Sequence, residues 1–137
     1  MGNFFAKDIK IYLEDTDSLK VVYHANYLKF VERTLSDFLE TFNAREQLSN
    51  ENLMLVFTKE EINFVNYAKA GDELVVMVSL DKLMVSSMHL KFEIFRRGLV
   101  VAYGFFIIAC VTSDEVKLQR LPVWFLEELD DRIIRHH

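Results

Sequence analysis

Asp15, Asp17 and His24 fall within one short stretch, Asp15-Thr16-Asp17-Ser18-Leu19-Lys20-Val21-Val22-Tyr23-His24. A carboxylate there can activate a water as general base, or attack a carbonyl carbon itself. His24-Ala25-Asn26 lies where a helix should begin, and a helix start carries unpaired backbone N–H groups and a partial positive charge. Those groups suit a carbonyl oxygen that becomes an oxyanion. One segment therefore offers both a nucleophile or base and an oxyanion site. Acidic residues before a helix also cap it and complement its dipole, and by spacing alone that role is the commoner one.

The flanking elements must hold this segment in place. Phe4 to Leu13 alternates Ile9, Ile11 and Leu13 with Asp8, Lys10 and Tyr12, which predicts a first strand. Asp15 to Lys20 is polar and reads as a loop, with Val21-Val22-Tyr23 tucking inward. Leu28, Val31, Leu35, Phe38 and Phe42 then recur at spacings of three and four, with Lys29, Glu32, Ser36 and Glu40 off that face. This pattern predicts one helix from Ala25 to Leu48, about 36 Å long at 1.5 Å per residue.

After Asn50 the period changes to two. Strands are expected over Leu53 to Tyr67, Glu73 to Val85, a run around Met88 to Ile94, and Leu99 to Thr112. Ala70-Gly71-Asp72 and Arg97-Gly98 supply turns. Leu99 to Thr112 is apolar on both faces and should be central. Pro122 suits the first turn of a short terminal helix with Phe125, Leu126 and Leu129 inward. Strands in such close succession favour an antiparallel sheet, and sheet plus helix make an α+β layer architecture. No linker, repeat or low-complexity segment divides residues 1–137, so one domain is expected.

Composition narrows the function classes. A net charge of −5 argues against nucleic-acid binding, which needs a basic stripe. The single Cys110 cannot form an internal disulfide, and no signal peptide is recognised; both suit a reducing cytoplasm. The apolar run Leu99 to Val111 is too short for a membrane helix, which needs roughly 20 residues. No His or Cys pair has metal-site spacing, so neither a metal nor a cofactor is expected. Cys110 reads as core, His89 as a solvated histidine, and His136 and His137 are given no role. Lys82, Arg96 and Arg97 are candidates for an anionic ligand, with surface solvation as the default; Ser86 and Ser87 are ambiguous. Half the residues are apolar and 12 are Phe, so some aromatic surface is expected between subunits. One helix covers only part of such a sheet, which makes dimerisation the natural remedy.

Tyr12-Leu13-Glu14-Asp15-Thr16-Asp17, then Val21-Val22-Tyr23-His24-Ala25-Asn26-Tyr27-Leu28-Lys29-Phe30 and Glu32-Arg33, resemble the signature of the 4-hydroxybenzoyl-CoA thioesterase family. The likeness is greatest to its bacterial branch encoded beside Tol-Pal genes. It implies a hotdog fold, an antiparallel sheet wrapped around one long central helix. It implies hydrolysis of acyl-CoA to free acid and coenzyme A, with Asp17 as nucleophile or general base. The His24 backbone N–H would polarise the thioester carbonyl, and the His24 side chain would orient water or Asp17. Tyr23 and Asn26 become candidate substrate-binding residues; with Tyr27 they also match as residues holding the loop and dimer seam. A homodimer or homotetramer follows from the family, as does a peripheral link to envelope or lipid-metabolism proteins.

Two positions depart from the family pattern. Lys20 stands where a glycine usually precedes Val-Val-Tyr-His, so the loop either runs differently or places lysine in a backbone conformation that favours glycine. Leu13 stands where close relatives often have tyrosine. Two other functions fit the same residues: a hotdog hydratase or dehydratase pairing Asp17 with His24, and a non-catalytic acyl-binding or envelope-complex partner.

Overall fold

The computed structural model describes residues 4–134. Five strands form one antiparallel sheet: β1 (Phe4–Lys10), β2 (Leu53–Phe64), β3 (Glu73–Leu83), β4 (Ser87–Arg96) and β5 (Leu99–Thr112), in the spatial order β1-β3-β4-β5-β2. Helix α1 (Asn26–Glu40) and the shorter α2 (Ala44–Asn50) separate β1 from β2, and α3 (Val123–Leu129) follows β5. His136 and His137 lie outside the described residues.

Alternation decides which face of the sheet is covered. Val76 and Val78 of β3, Leu90, Phe92 and Ile94 of β4, and Phe106 and Ile108 of β5 are all buried on the α1 side. From α1, Phe30, Val31, Leu35, Phe38 and Leu39 meet them, as the spacing of apolar positions requires. Phe5 of β1 stacks on Phe38 with ring centroids 4.3 Å apart, and Lys7 pairs with Asp37. The edge strand is therefore fastened to the helix by both an aromatic and an ionic contact.

The single long helix expected from Ala25 to Leu48 is instead two. Asn43 adopts φ +51°, the left-handed region that Asn tolerates better than most side chains, and the chain restarts as α2. Before the break, the Thr41 hydroxyl and backbone N–H both donate to the Phe38 carbonyl, which closes the end of α1. The apolar spacing hides this elbow, because Phe42, Ala44 and Leu48 stay buried on the same side. At 15 residues, α1 spans about 22 Å.

The strand limits are otherwise close to those expected, and β5 matches to the residue. β1 ends earlier, at Lys10, and Leu13 is exposed in a short 3₁₀ turn, Leu13–Asp15. Pro122 sits one residue ahead of α3, where its carbonyl accepts from Phe125 and Leu126 N–H at 3.1 Å each. Arg97 and Gly98 take φ +51° and +78°, the pair of left-handed residues that a two-residue hairpin uses. Gly104 lets β2 fold down onto β5: a Cβ there would lie 1.9 Å from the Glu61 carbonyl oxygen. Among the described residues, no helix is long and apolar enough to cross a membrane.

Candidate active site

Asp17 stands at the turn of a tight hairpin. Its N–H donates to Val21 O at 3.0 Å and its carbonyl accepts from Lys20 N–H at 2.9 Å. Thr16 bridges Val22, and Tyr23 N–H donates to Asp15 O at 3.0 Å. This is a three-residue loop, Ser18-Leu19-Lys20, whose last residue must be left-handed to return the chain. Lys20 takes φ +64°, so the loop keeps its shape and the lysine bears the strain.

The carboxylates divide their work. Asp15 Oδ2 accepts from Tyr12 N–H at 2.9 Å, which closes the 3₁₀ turn. Asp17 Oδ1 accepts from Leu19 N–H at 2.9 Å, an Asx turn, while Oδ2 has no partner among the described residues. Neither caps α1, whose N-cap, Ala25, receives no side-chain hydrogen bond. The capping role that spacing favours is thus filled by Asp15 alone, and at a different element.

His24 leaves the hairpin at its base, where α1 begins. The first turn is closed by Asn26 N–H to Tyr23 O at 2.8 Å, and Tyr27 N–H reaches His24 O at 3.4 Å. The N–H groups of His24 and Ala25 have no acceptor among the described residues, which is the usual state of a helix start. Only Val22 and Tyr23 separate His24 from Val21, the hydrogen-bond partner of Asp17.

The surroundings are aromatic and open. The His24 ring lies 4.5 Å from Tyr23 and 6.2 Å, edge-on, from Phe64 of β2. Phe64 also packs on Tyr27 at 5.8 Å. Leu13, Leu19, Tyr23, Phe64 and Tyr67 all expose large apolar side chains around the motif, with Leu19 78% exposed. Tyr23 was expected to tuck inward, yet only Val22 of that trio is buried. Asn26 uses its amide to donate to Asp15 O at 2.9 Å, tying the helix start to the hairpin.

Several residues weighed from sequence lie elsewhere. Cys110 is fully buried, and burial pushes its thiol pKa up. His89 is half-buried on the face of the sheet away from α1, while Lys82 and Arg97 are exposed. On that outer face Met77, Ser79, Lys91, Glu93, Tyr103 and Phe105 line an open cavity of about 690 Å³, and no residue of the motif is among its lining. Arg96 is engaged inside the protein: its Nη1 reaches Asp72 Oδ2 at 3.2 Å. No periodicity signals that pairing, which joins a turn to the far end of a strand.

The description of the thioesterase-like superfamily matches residues 11–129. An acyl-CoA thioesterase of Haemophilus influenzae, YbgC, is 30% identical over 94% of this chain and 93% of its own length. A probable thioesterase from Bartonella henselae superposes with a TM-score of 0.80 at 28% identity, covering 87% of this chain and 99% of that one. The 1,4-dihydroxy-2-naphthoyl-CoA thioesterase Slr0204 of Synechocystis gives 0.85 at 21% identity, over 93% and 96%. With the family match running over residues 11–129 and solved thioesterases superposing over nearly their full length, the chain belongs to the thioesterase-like superfamily and has its hotdog fold.

Proposed function

We propose that this protein hydrolyses acyl-CoA thioesters to a free acid and coenzyme A, with Asp17 as its carboxylate and the His24 backbone N–H as its oxyanion donor. One observation carries the reading. Among the described residues, Asp17 keeps an oxygen free of partners in the same short hairpin that delivers the unpaired N–H groups of His24 and Ala25. The relationship to an acyl-CoA thioesterase supports the substrate class.

The substrate carbonyl oxygen points at the helix start, where the N–H dipole strengthens its interaction as negative charge develops. Asp17 either attacks the carbonyl carbon, giving an anhydride that water opens, or removes a proton from an attacking water. In both routes the carbon–sulfur bond breaks, the electron pair leaves on sulfur, and the thiolate becomes the thiol with the proton that the reacting water gives up. Tyr23 and His24 border the approach to that carbonyl, and Asn26 keeps hairpin and helix in register.

The exposed apolar side chains around the motif favour a site completed by a second copy of the chain, in a homodimer or a dimer of dimers. The signature supports kinship with the Tol-Pal-associated branch of the 4-hydroxybenzoyl-CoA family, and a cytoplasmic enzyme fits its lone buried cysteine. Lys20, the main departure from that signature, holds the left-handed conformation that the hairpin requires, so the loop shape gives no support to a non-catalytic role.

The test is release of free thiol from short-chain, long-chain and aromatic acyl-CoAs by the purified protein. Asp17→Asn is expected to slow turnover about 10²–10⁴-fold. Full activity in that variant refutes the assignment of Asp17. Loss of enoyl-CoA absorbance with no thiol formed would point to a hydratase instead.

A further inference from the structure

Residues 68–72 touch the motif at three places. Ile11 N–H donates to Asp72 O and Gly71 N–H to Ile11 O, both at 2.8 Å, which fixes the chain leading into the hairpin. Val22 N–H donates to Ala68 O at 2.8 Å, and Val21 bridges Lys69, which fixes the return strand. The Ala68 backbone also faces the Tyr27 hydroxyl, on the first turn of α1. The turn therefore contacts the chain before Asp17, between Asp17 and His24, and after His24.

What holds the turn is Asp72. Its Oδ2 accepts from Lys69 N–H at 2.8 Å, closing the turn, and from Arg96 Nη1 at 3.2 Å, at the end of β4. Both side chains are partly buried, 21% and 31% exposed, so the pair is less screened than a surface bridge. β4 is the middle strand of the five, so Arg96 ties the turn to the middle of the sheet.

We infer that Asp72 and Arg96 are positioning residues for the reaction: they set the spacing of Asp17 and His24 through the 68–72 turn, without touching substrate. The inference rests on the reading of Asp17 as the catalytic carboxylate. Displacing a reacting group by about 1 Å can cost roughly 10²-fold in rate, so loosening this clasp should act on turnover more than on binding.

Thiol-release kinetics on the full-length protein decide it, using whichever acyl-CoA the wild type turns over best. Asp72→Asn and Arg96→Met should each lower kcat about 10–100-fold and leave KM within about threefold, with melting temperatures still well above the assay temperature. Arg96→Lys should recover much of the loss. In an Asp17→Asn background, Asp72→Asn should cause no further slowing, because a residue acting through Asp17 has nothing left to position. Wild-type kcat in both Asp72→Asn and Arg96→Met overturns the inference, and so does a full multiplicative loss in the double variant. Should Asp72→Asn fail to fold, the Arg96 pair carries the same comparison. An active Asp17→Asn single variant removes the underlying reading instead, and does so independently of either positioning residue.

Discussion

Lys20 N–H donates to the Asp17 carbonyl at 2.9 Å, so the residue that strains the hairpin is bonded directly to the residue that carries the proposed catalytic carboxylate. Lys20 needs φ +64° to turn the chain back, so that the Asp17 N–H can reach Val21 O at 3.0 Å. A side chain in the left-handed region costs about 1–2 kcal/mol, whereas glycine gives back roughly 0.5–1 kcal/mol in unfolded-chain entropy. Lys20→Gly should therefore stabilise the protein by about 0.5–1 kcal/mol and raise Tm by a few degrees, measured by thermal melts at matched protein concentration. An unchanged or lower Tm would show that Lys20 gains compensating contacts.

Asn26 is expected to matter through its amide nitrogen alone. Replacing it with Ala removes the 2.9 Å bond to Asp15 O, while that carbonyl keeps its bond from Tyr23 N–H. A loss of about 1 kcal/mol follows. Asn26→Asp should be worse than Ala, because a carboxylate oxygen would face a carbonyl oxygen. Urea unfolding of the two variants side by side gives the ranking.

Gly104→Ala should be among the most damaging single-methyl changes in the sheet. The added carbon would sit 1.9 Å from Glu61 O and 2.9 Å from Glu61 C, both backbone atoms of β2 that cannot rotate away. Overpacking of this kind costs about 1–3 kcal/mol or more. Denaturation midpoints, or a failure to recover folded protein, would register it; a midpoint equal to wild type would mean that β2 lifts freely from β5.

The Asp72 clasp also sets an acid limit. The Lys69 N–H, first, and the Arg96 guanidinium, second, hold the Asp72 carboxyl pKa below its ordinary value. A carboxylate depressed in the folded state contributes stability above its unfolded pKa of about 3.9, and that contribution is lost as pH falls through the lower folded value. Stability measured by urea between pH 6 and pH 3, intervals of roughly one unit around that pKa, should fall at the acid end. Asp72→Asn should flatten that limb while lowering the neutral plateau. An acid limb equally steep in the variant would assign it to other carboxylates.

Much of this fold is legible in the sequence because its signals are periodic. The alternation from Met88 to Ile94 and the continuous apolar run from Leu99 to Thr112 mark β4 and the interior strand β5, and the Leu28–Phe42 spacing marks the buried face of α1. What escapes is conformational or tertiary. Asn43 breaks the helix through one left-handed residue while the apolar spacing runs on undisturbed. Leu13 continues an alternation in sequence that the chain has already left for a 3₁₀ turn. The site divides in the same way: Asp17 and His24 are marked by motif, whereas the Asp72–Arg96 pair spans 24 residues and appears only once strands and turn are assembled.

The order β1-β3-β4-β5-β2 has a kinetic consequence. Strands β3, β4 and β5 follow one another from residue 73 to 112 as a meander, and such local pairings close quickly. β1 must wait to find β3, and β2 to find β5, across long intervening segments whose closure is entropically slower. The Asp17 hairpin is bonded to the turn just before β3 and follows directly from β1. Its geometry can therefore mature only after the first strand has docked, which makes the capacity for turnover a late event in folding.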